Sequence, residues 1–163
     1  MKEITVMGIE DIEMGNTPID EIESEVVNLI FIGIDCSISM NRFVSDMKKS
    51  LQDFKDALTD SKEADEILIA RADFSGNDIS IGGYKKIEEL NTDYSVRGMT
   101  PLYDVAVEGS DKLIKYMDTL RNNGMRVKAV FAIFSDGEDT SSSKRLADAV
   151  RAVAELNNKE MVF

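Results

Sequence analysis

The apolar run from Leu29 to Ile34, closed by Asp35, constrains the fold more than any other part of the chain. It is rich in isoleucine, bounded by polar residues and too short for a buried helix, which predicts a strand covered on both faces. Such a strand ends at the carboxyl edge of its sheet, where open α/β folds bind their ligands. Ser37 and Ser39 follow Asp35 at alternate positions, so three side-chain oxygens are expected at this edge.

Length and charge limit the class of protein. The chain has 163 residues, of which 43% are hydrophobic and 31% charged, as expected for one soluble domain with a single core. Its net charge of -12 argues against nucleic acid and against anionic membranes as partners, because both require clustered Lys and Arg. An acidic surface instead favours cations or basic partners.

The sequence predicts a cytoplasmic protein. Cys36 is the single cysteine, so no intramolecular disulfide can form, and we expect it to be a small buried side chain. Residues 1–13 lack the basic start and apolar segment of a secretory signal. The most apolar run, 26–34, is far shorter than the roughly 20 residues that span a bilayer.

Two segments differ in composition. Residues 1–25 form an acidic lead-in, which we expect to be solvated, with a brief edge strand at Ile4 and Val6. Its acidic residues are Glu3, Glu10, Asp11, Glu13, Asp20, Glu21, Glu23 and Glu25. Residues 26–163 form the folded domain.

Three stretches carry apolar residues at spacings of three and four, which is typical of amphipathic helices. The faces predicted to be buried are Phe43, Met47, Leu51, Phe54 and Leu58 in the first helix; Leu102, Val105, Ala106, Leu113, Tyr116, Met117 and Leu120 in the second; and Leu146, Ala149, Val150, Val153 and Leu156 in the third. Thr100 is the predicted cap of the second helix, with Pro101 at its first position. The serines at 141–143 are candidate caps of the third.

Further strands are predicted at 67–74, at 79–81 and at 127–134, and 161–163 resembles the start of another. Strands that alternate with helices predict a doubly wound, mostly parallel Rossmann-like sheet with helices on both faces, an α/β fold. Residues 82–98 are predicted to be mostly loop with a short strand.

Five oxygen-bearing side chains from three segments are predicted to meet. Asp35, Ser37 and Ser39 follow the first strand, Thr100 precedes the second helix, and Asp136 follows the strand at 127–134. If the two aspartate-bearing strands are neighbours, all five side chains surround one point at the carboxyl edge. Carboxylates and hydroxyls are hard oxygen ligands that suit Mg²⁺.

The three segments resemble the metal-ion-dependent adhesion site of the von Willebrand factor type A family. That site combines Asp-x-Ser-x-Ser, a threonine in a Gly-x-Thr-Pro-Leu-like loop and an aspartate in a Ser-Asp-Gly-like turn. This chain has Asp35-Cys36-Ser37-Ile38-Ser39, Gly98-Met99-Thr100-Pro101-Leu102 and Ser135-Asp136-Gly137, in the same order. The resemblance extends over residues 26–163. The family fold continues through a further strand and helix, which we expect this chain to lack.

The resemblance implies a binding module rather than an enzyme. Ser37, Ser39 and Thr100 would ligate Mg²⁺ directly, with Mn²⁺ or Ca²⁺ as alternatives, while Asp35 and Asp136 would act partly through water. Because Mg²⁺ takes about six oxygen ligands, a position remains for an Asp or Glu carboxylate of a partner protein. The partner's identity and the oligomeric state stay open.

Other interpretations of the same residues stay open. Thr100 alone could be a helix cap, Ser37 and Ser39 could cap a helix beginning near residue 41, and Asp104 could simply complement a helix start. A metal-assisted phosphohydrolase with Asp35 as nucleophile is a second function, although the chain has no histidine and no phosphate-binding loop. A metal-independent scaffold that binds through its acidic lead-in or an open sheet edge is a third.

Overall fold

The computed structural model describes residues 15–60, 66–76, 78–137 and 139–160 of the chain. Over these ranges it is an α/β fold with a mixed sheet. In chain order the elements are β1 (Val26–Asp35), α1 (Val44–Thr59), β2 (Glu66–Ser75), β3 (Asp78–Ile81), β4 (Lys85–Lys86), α2 (Leu102–Asn122), β5 (Arg126–Phe134) and α3 (Leu146–Glu160). Short 3-10 turns lie at Ile19–Glu21, Ile38–Phe43 and Ile87–Glu89. The strands predicted at 4–6 and at 161–163 lie outside the described residues.

The sheet has β1 in its interior, with a neighbouring strand on each side. Strand β1 pairs in parallel with β2 on one side and with β5 on the other, and the order is β3-β2-β1-β5. Strands β3 and β4 both pair with β2 in the antiparallel sense. The arrangement is compatible with a Rossmann-like fold. The sheet is mixed, since two of its pairings are parallel and two are antiparallel.

Alternate residues of β1 face two separate cores, because successive strand side chains point to opposite faces. Val27, Leu29 and Phe31 pack in one cluster with the buried side of α2. Ile30 and Ile32 pack in the other, together with the apolar side of α1. The predicted coverage of this strand on both faces is therefore confirmed.

The apolar stripe of α3 is only partly buried, which the spacing pattern did not predict. The side of α3 that packs on α2 carries the buried residues Ala149, Ala152 and Leu156. Leu146 and Val150 are 58% and 60% exposed. Their burial was predicted wrongly because periodicity shows that a helix has an apolar face but not whether a partner covers it.

The lead-in is docked on the core at Asn16 and Thr17, whereas its described acidic residues are exposed; these are Asp20, Glu21, Glu23 and Glu25. Asn16 and Thr17 are both buried. The Thr17 amide donates to the Tyr84 carbonyl at 2.7 Å, and the Tyr84 amide donates to Asn16 Oδ1 at 2.8 Å. The Tyr116 hydroxyl donates to the Thr17 carbonyl at 2.8 Å. Such polar contacts leave no periodic pattern in the sequence. The prediction of a solvated lead-in therefore rested on its acidic composition alone.

Within the described ranges, no helix has both the length and the apolar character needed to cross a membrane.

Candidate metal centre

The register of β1 and β5 brings two predicted site segments side by side. Ile34 is paired with Phe134, so Asp35 and Asp136 leave the sheet at the same edge. The Asp35 side chain is fully buried. Its Oδ1 accepts from the Ser37 amide at 2.8 Å, and its Oδ2 accepts from the Ser135 hydroxyl at 2.6 Å. The orientation of this carboxylate is therefore set by both segments.

The two serines after β1 connect to Asp136 by hydrogen bonds. Ser37 Oγ and Ser39 Oγ lie 2.9 Å apart, and Ser39 Oγ donates to Asp136 Oδ1 at 3.0 Å. Ser37 is buried whereas Ser39 and Asp136 are exposed. The chain of oxygens thus runs from the core outward and ends at the solvent, where a ligand has access.

Thr100 joins the same cluster through a turn at Gly98. Gly98 has φ +70, a conformation that favours glycine, and its carbonyl accepts from the Ile38 amide at 3.1 Å. A Cβ atom built on Gly137 would lie 3.9 Å from Ser39 Oγ and 4.0 Å from Thr100 Oγ1. Ser39 and Thr100 therefore both border Gly137, while hydrogen bonds connect Asp35, Ser37, Ser39 and Asp136.

The start of α2 is capped by a distant loop rather than by Thr100. The helix begins two residues after Thr100, and proline in between has no side-chain hydrogen bond to offer. The Tyr103 amide donates to Asp139 Oδ1 at 3.0 Å, and the Asp104 amide donates to Ser142 Oγ at 3.0 Å. The predicted cap is therefore wrong, because the Thr100 hydroxyl does not accept a hydrogen bond from the first amides of α2.

The same loop holds the main chain of Thr100 and the carboxylate of Asp104. The Thr100 amide donates to Thr140 Oγ1 at 2.8 Å, and the Thr140 amide donates to the Thr100 carbonyl at 2.8 Å. Asp104 accepts from the amides of Ser143 and Lys144 at 2.9 Å and 2.7 Å. Asp104 thus complements the helix start and also ties down the loop that holds Thr100.

Side chains of this loop have roles that the sequence did not reveal. Asp139 is half-buried and caps α2. Ser142 caps α2 rather than α3, and Ser141 Oγ donates to the Gly76 carbonyl at 2.7 Å. These roles connect residues more than 30 positions apart, and the local serine-rich pattern could not reveal them.

Cys36 is structural, as the sequence predicted. Its side chain is 5% exposed, and the thiol is not in a disulfide. Burial, with Asp73 as the next contributor, raises the pKa of the Cys36 thiol from 9.0 to about 12. The Tyr94 hydroxyl donates to the Asp35 carbonyl, and burial above all, then Cys36, raises the pKa of Tyr94. A protonated thiol is a poor nucleophile.

The donor set favours a hard cation. Within the part of the chain that the structure describes, no group of three or more His, Cys, Asp or Glu side chains could hold a metal. The candidate cluster contains two carboxylates and three hydroxyls, and it has no sulfur or imidazole. Such oxygen donors fit Mg²⁺ better than Zn²⁺ or copper, which prefer nitrogen and sulfur.

Comparison with protein-family models and with curated proteins finds no match to this chain.

Proposed function

We propose that this chain is a von Willebrand factor type A-like binding module, which recognises an acidic side chain of a partner protein through Mg²⁺. The five side chains Asp35, Ser37, Ser39, Thr100 and Asp136 would hold the ion. When bound, the ion supplies electrostatic attraction for the partner's carboxylate. No chemical step follows, so the module binds and releases its partner unchanged.

The observation that carries this proposal is the hydrogen-bonded row of oxygens from Ser37 through Ser39 to Asp136. Hydroxyls that already lie about 3 Å apart need little rearrangement to converge on one ion. The exposed end of the row leaves room for water or a partner. Because three of the five candidate ligands are neutral hydroxyls, a bound dication keeps much of its attraction for an anion.

Binding of a carboxylate should require the ion. In a ¹⁵N-labelled sample, we expect Mg²⁺ to shift the amides of Ser37, Ser39, Thr100 and Gly137. A blocked peptide with a single glutamate should then shift the same amides, whereas its glutamine counterpart should not. Nuclear magnetic resonance titration checks both steps. Peptide shifts that persist unchanged in a chelator would contradict the proposal.

Asp104 should affect the site without contacting it. Asp104→Ala removes the acceptor for the amides of Ser143 and Lys144, which frees the loop that holds Thr100. We expect Mg²⁺ affinity to fall by about tenfold, in line with supporting residues of metal sites. Calorimetry measures the affinity, and Asp111→Ala on the exposed side of the same helix is the control. Equal Mg²⁺ affinities in the two variants would show that Asp104 does not support the site.

A metal-independent scaffold is the second candidate function, favoured by the outer edge of β5. Beyond β5 the described residues supply no further strand, and Val130 and Phe134 on this strand are 53% and 45% exposed. An open apolar edge can pair with another chain. Partner capture that is indifferent to chelator and sensitive to Val130→Lys would favour this function.

Sustained phosphomonoester turnover, lost in Asp35→Asn, would instead favour an enzyme.

A further inference from the structure

Two exposed apolar side chains stand directly beside the candidate metal centre. Ile38 lies between Ser37 and Ser39 and is 66% exposed. Met99 directly precedes Thr100 and is 55% exposed. Large apolar side chains grouped on a surface around polar residues are typical of contact sites for other molecules.

The local backbone sets the outward position of Ile38. The 3-10 turn that begins at Ile38 has about three residues per turn, so residues three apart share a face. Ser37 and Met40 are three apart and are 2% and 5% exposed. Their burial directs the intervening Ile38 away from the core.

Backbone hydrogen bonds hold the loop that carries Met99 beside the turn that begins at Ile38. The Ile38 amide donates to the Gly98 carbonyl at 3.1 Å, and the Gly76 amide donates to the Met99 carbonyl at 2.7 Å. The two segments are therefore neighbours, and their two exposed apolar residues are defined here as the apolar rim (Ile38 and Met99). The rim borders the exposed end of the oxygen row at Ser39.

We propose that the apolar rim binds apolar side chains that flank the partner's carboxylate, an inference that rests on the proposed function. The partner is then a protein segment in which one Asp or Glu lies between large apolar residues, rather than a polyacidic tract. Charge supports this choice, because a chain of net charge -12 repels a segment that carries several carboxylates. Apolar contact also excludes water, which strengthens the carboxylate's attraction to the ion.

Two blocked heptapeptides test the proposal. Each has a single central glutamate, flanked by two leucines in one and by two serines in the other. In Mg²⁺ the leucine-flanked peptide should bind about five- to tenfold more tightly, the effect of burying on the order of 50 Å² of apolar surface. Calorimetry or nuclear magnetic resonance titration gives the two dissociation constants.

Matched variants locate the effect. The double variant Ile38→Ser/Met99→Ser should reduce the preference to below about twofold while Mg²⁺ affinity stays within about twofold. The control Leu146→Ser/Val150→Ser removes equally exposed apolar residues from α3 and should keep the full preference. All four side chains are more than half exposed, so neither variant disturbs the core.

Each other outcome has a distinct meaning. Metal-dependent binding of both peptides with equal affinity would overturn the apolar rim and leave the proposed function intact. Loss of the preference in the α3 control would also overturn it, because the rim would not be the source. Absence of metal-dependent binding by either peptide would overturn the proposed function itself.

Discussion

Asp136→Ala is expected to abolish saturable Mg²⁺ binding while the protein remains folded. Asp136 is exposed, and Ser39 Oγ donates to it at 3.0 Å, so its carboxylate can be removed without a cavity in the core. The wild-type protein should gain about 2.7 kcal/mol of stability when Mg²⁺ is present at 100 times its dissociation constant. The variant should gain none. Calorimetry and urea unfolding, with and without Mg²⁺, measure the two effects.

Asp35→Asn should also remove Mg²⁺ binding, from the buried end of the cluster. Asparagine has the same shape but no charge, and only one of its two terminal atoms can accept the hydrogen bonds now made by the Ser37 amide and the Ser135 hydroxyl. The exposed carboxylate of Glu155 on α3 supplies the control Glu155→Ala. Unchanged affinity in both aspartate variants would end the metal-site proposal.

Gly109→Ala is expected to destabilise the protein by about 1–3 kcal/mol through overpacking. Helix α2 packs tightly against the sheet at Gly109, where an added Cβ would lie 2.5 Å from Phe31 Cζ and 3.1 Å from Phe131 Cε2. The two rings stack with centroids 4.8 Å apart, and Phe31 is fully buried, so it has no free space to move into. In an exposed helix position the same change would stabilise by about 1 kcal/mol.

Urea unfolding of a double-mutant cycle tests this assignment. Phe31→Leu removes ring atoms that the added methyl group would meet, so the double variant should lose less stability than the sum of the single variants. Ser110→Ala is the control at the next position, since its buried hydroxyl has no hydrogen-bond partner among the described residues and its removal should be nearly neutral. If the Gly109→Ala protein is as stable as wild type, α2 and the sheet can shift apart enough to accommodate the added methyl group, and the overpacking assignment is wrong.

Sequence patterns predicted the elements with a repeating environment. The continuous apolar run of β1 predicted a strand buried on both faces. The spacing of Phe43, Met47, Leu51, Phe54 and Leu58 predicted the core side of α1, although Phe43 itself lies in the preceding 3-10 turn. Both worked because burial repeats along a strand or helix with the period of its backbone. The proximity of Asp35, Ser37, Ser39 and Asp136 at one edge was also predicted, since the carboxyl ends of neighbouring parallel strands share an edge.

Patterns failed where one side chain serves a distant segment. Tyr103 and Asp139 are 36 positions apart, and Thr100 and Thr140 are 40 apart, yet these contacts cap α2 and hold the site loop. Ser135 was not singled out, although it donates to Asp35 across 100 positions. A hydroxyl or carboxylate can form hydrogen bonds with many different groups. Which of them becomes its partner depends on the groups that the fold places beside it.

The order of residues along the chain determined which segments form strands and helices, because residues at a fixed spacing lie on the same face of a strand or helix. It also determined which side-chain oxygens lie at the carboxyl edge. The tertiary structure alone decided which apolar faces are covered. Leu146 and Val150 have the same helical spacing as buried residues, but they stay exposed where no described element packs on them. Burial depends on the partner as well as on the pattern, and the partner is set by the packing of the whole chain.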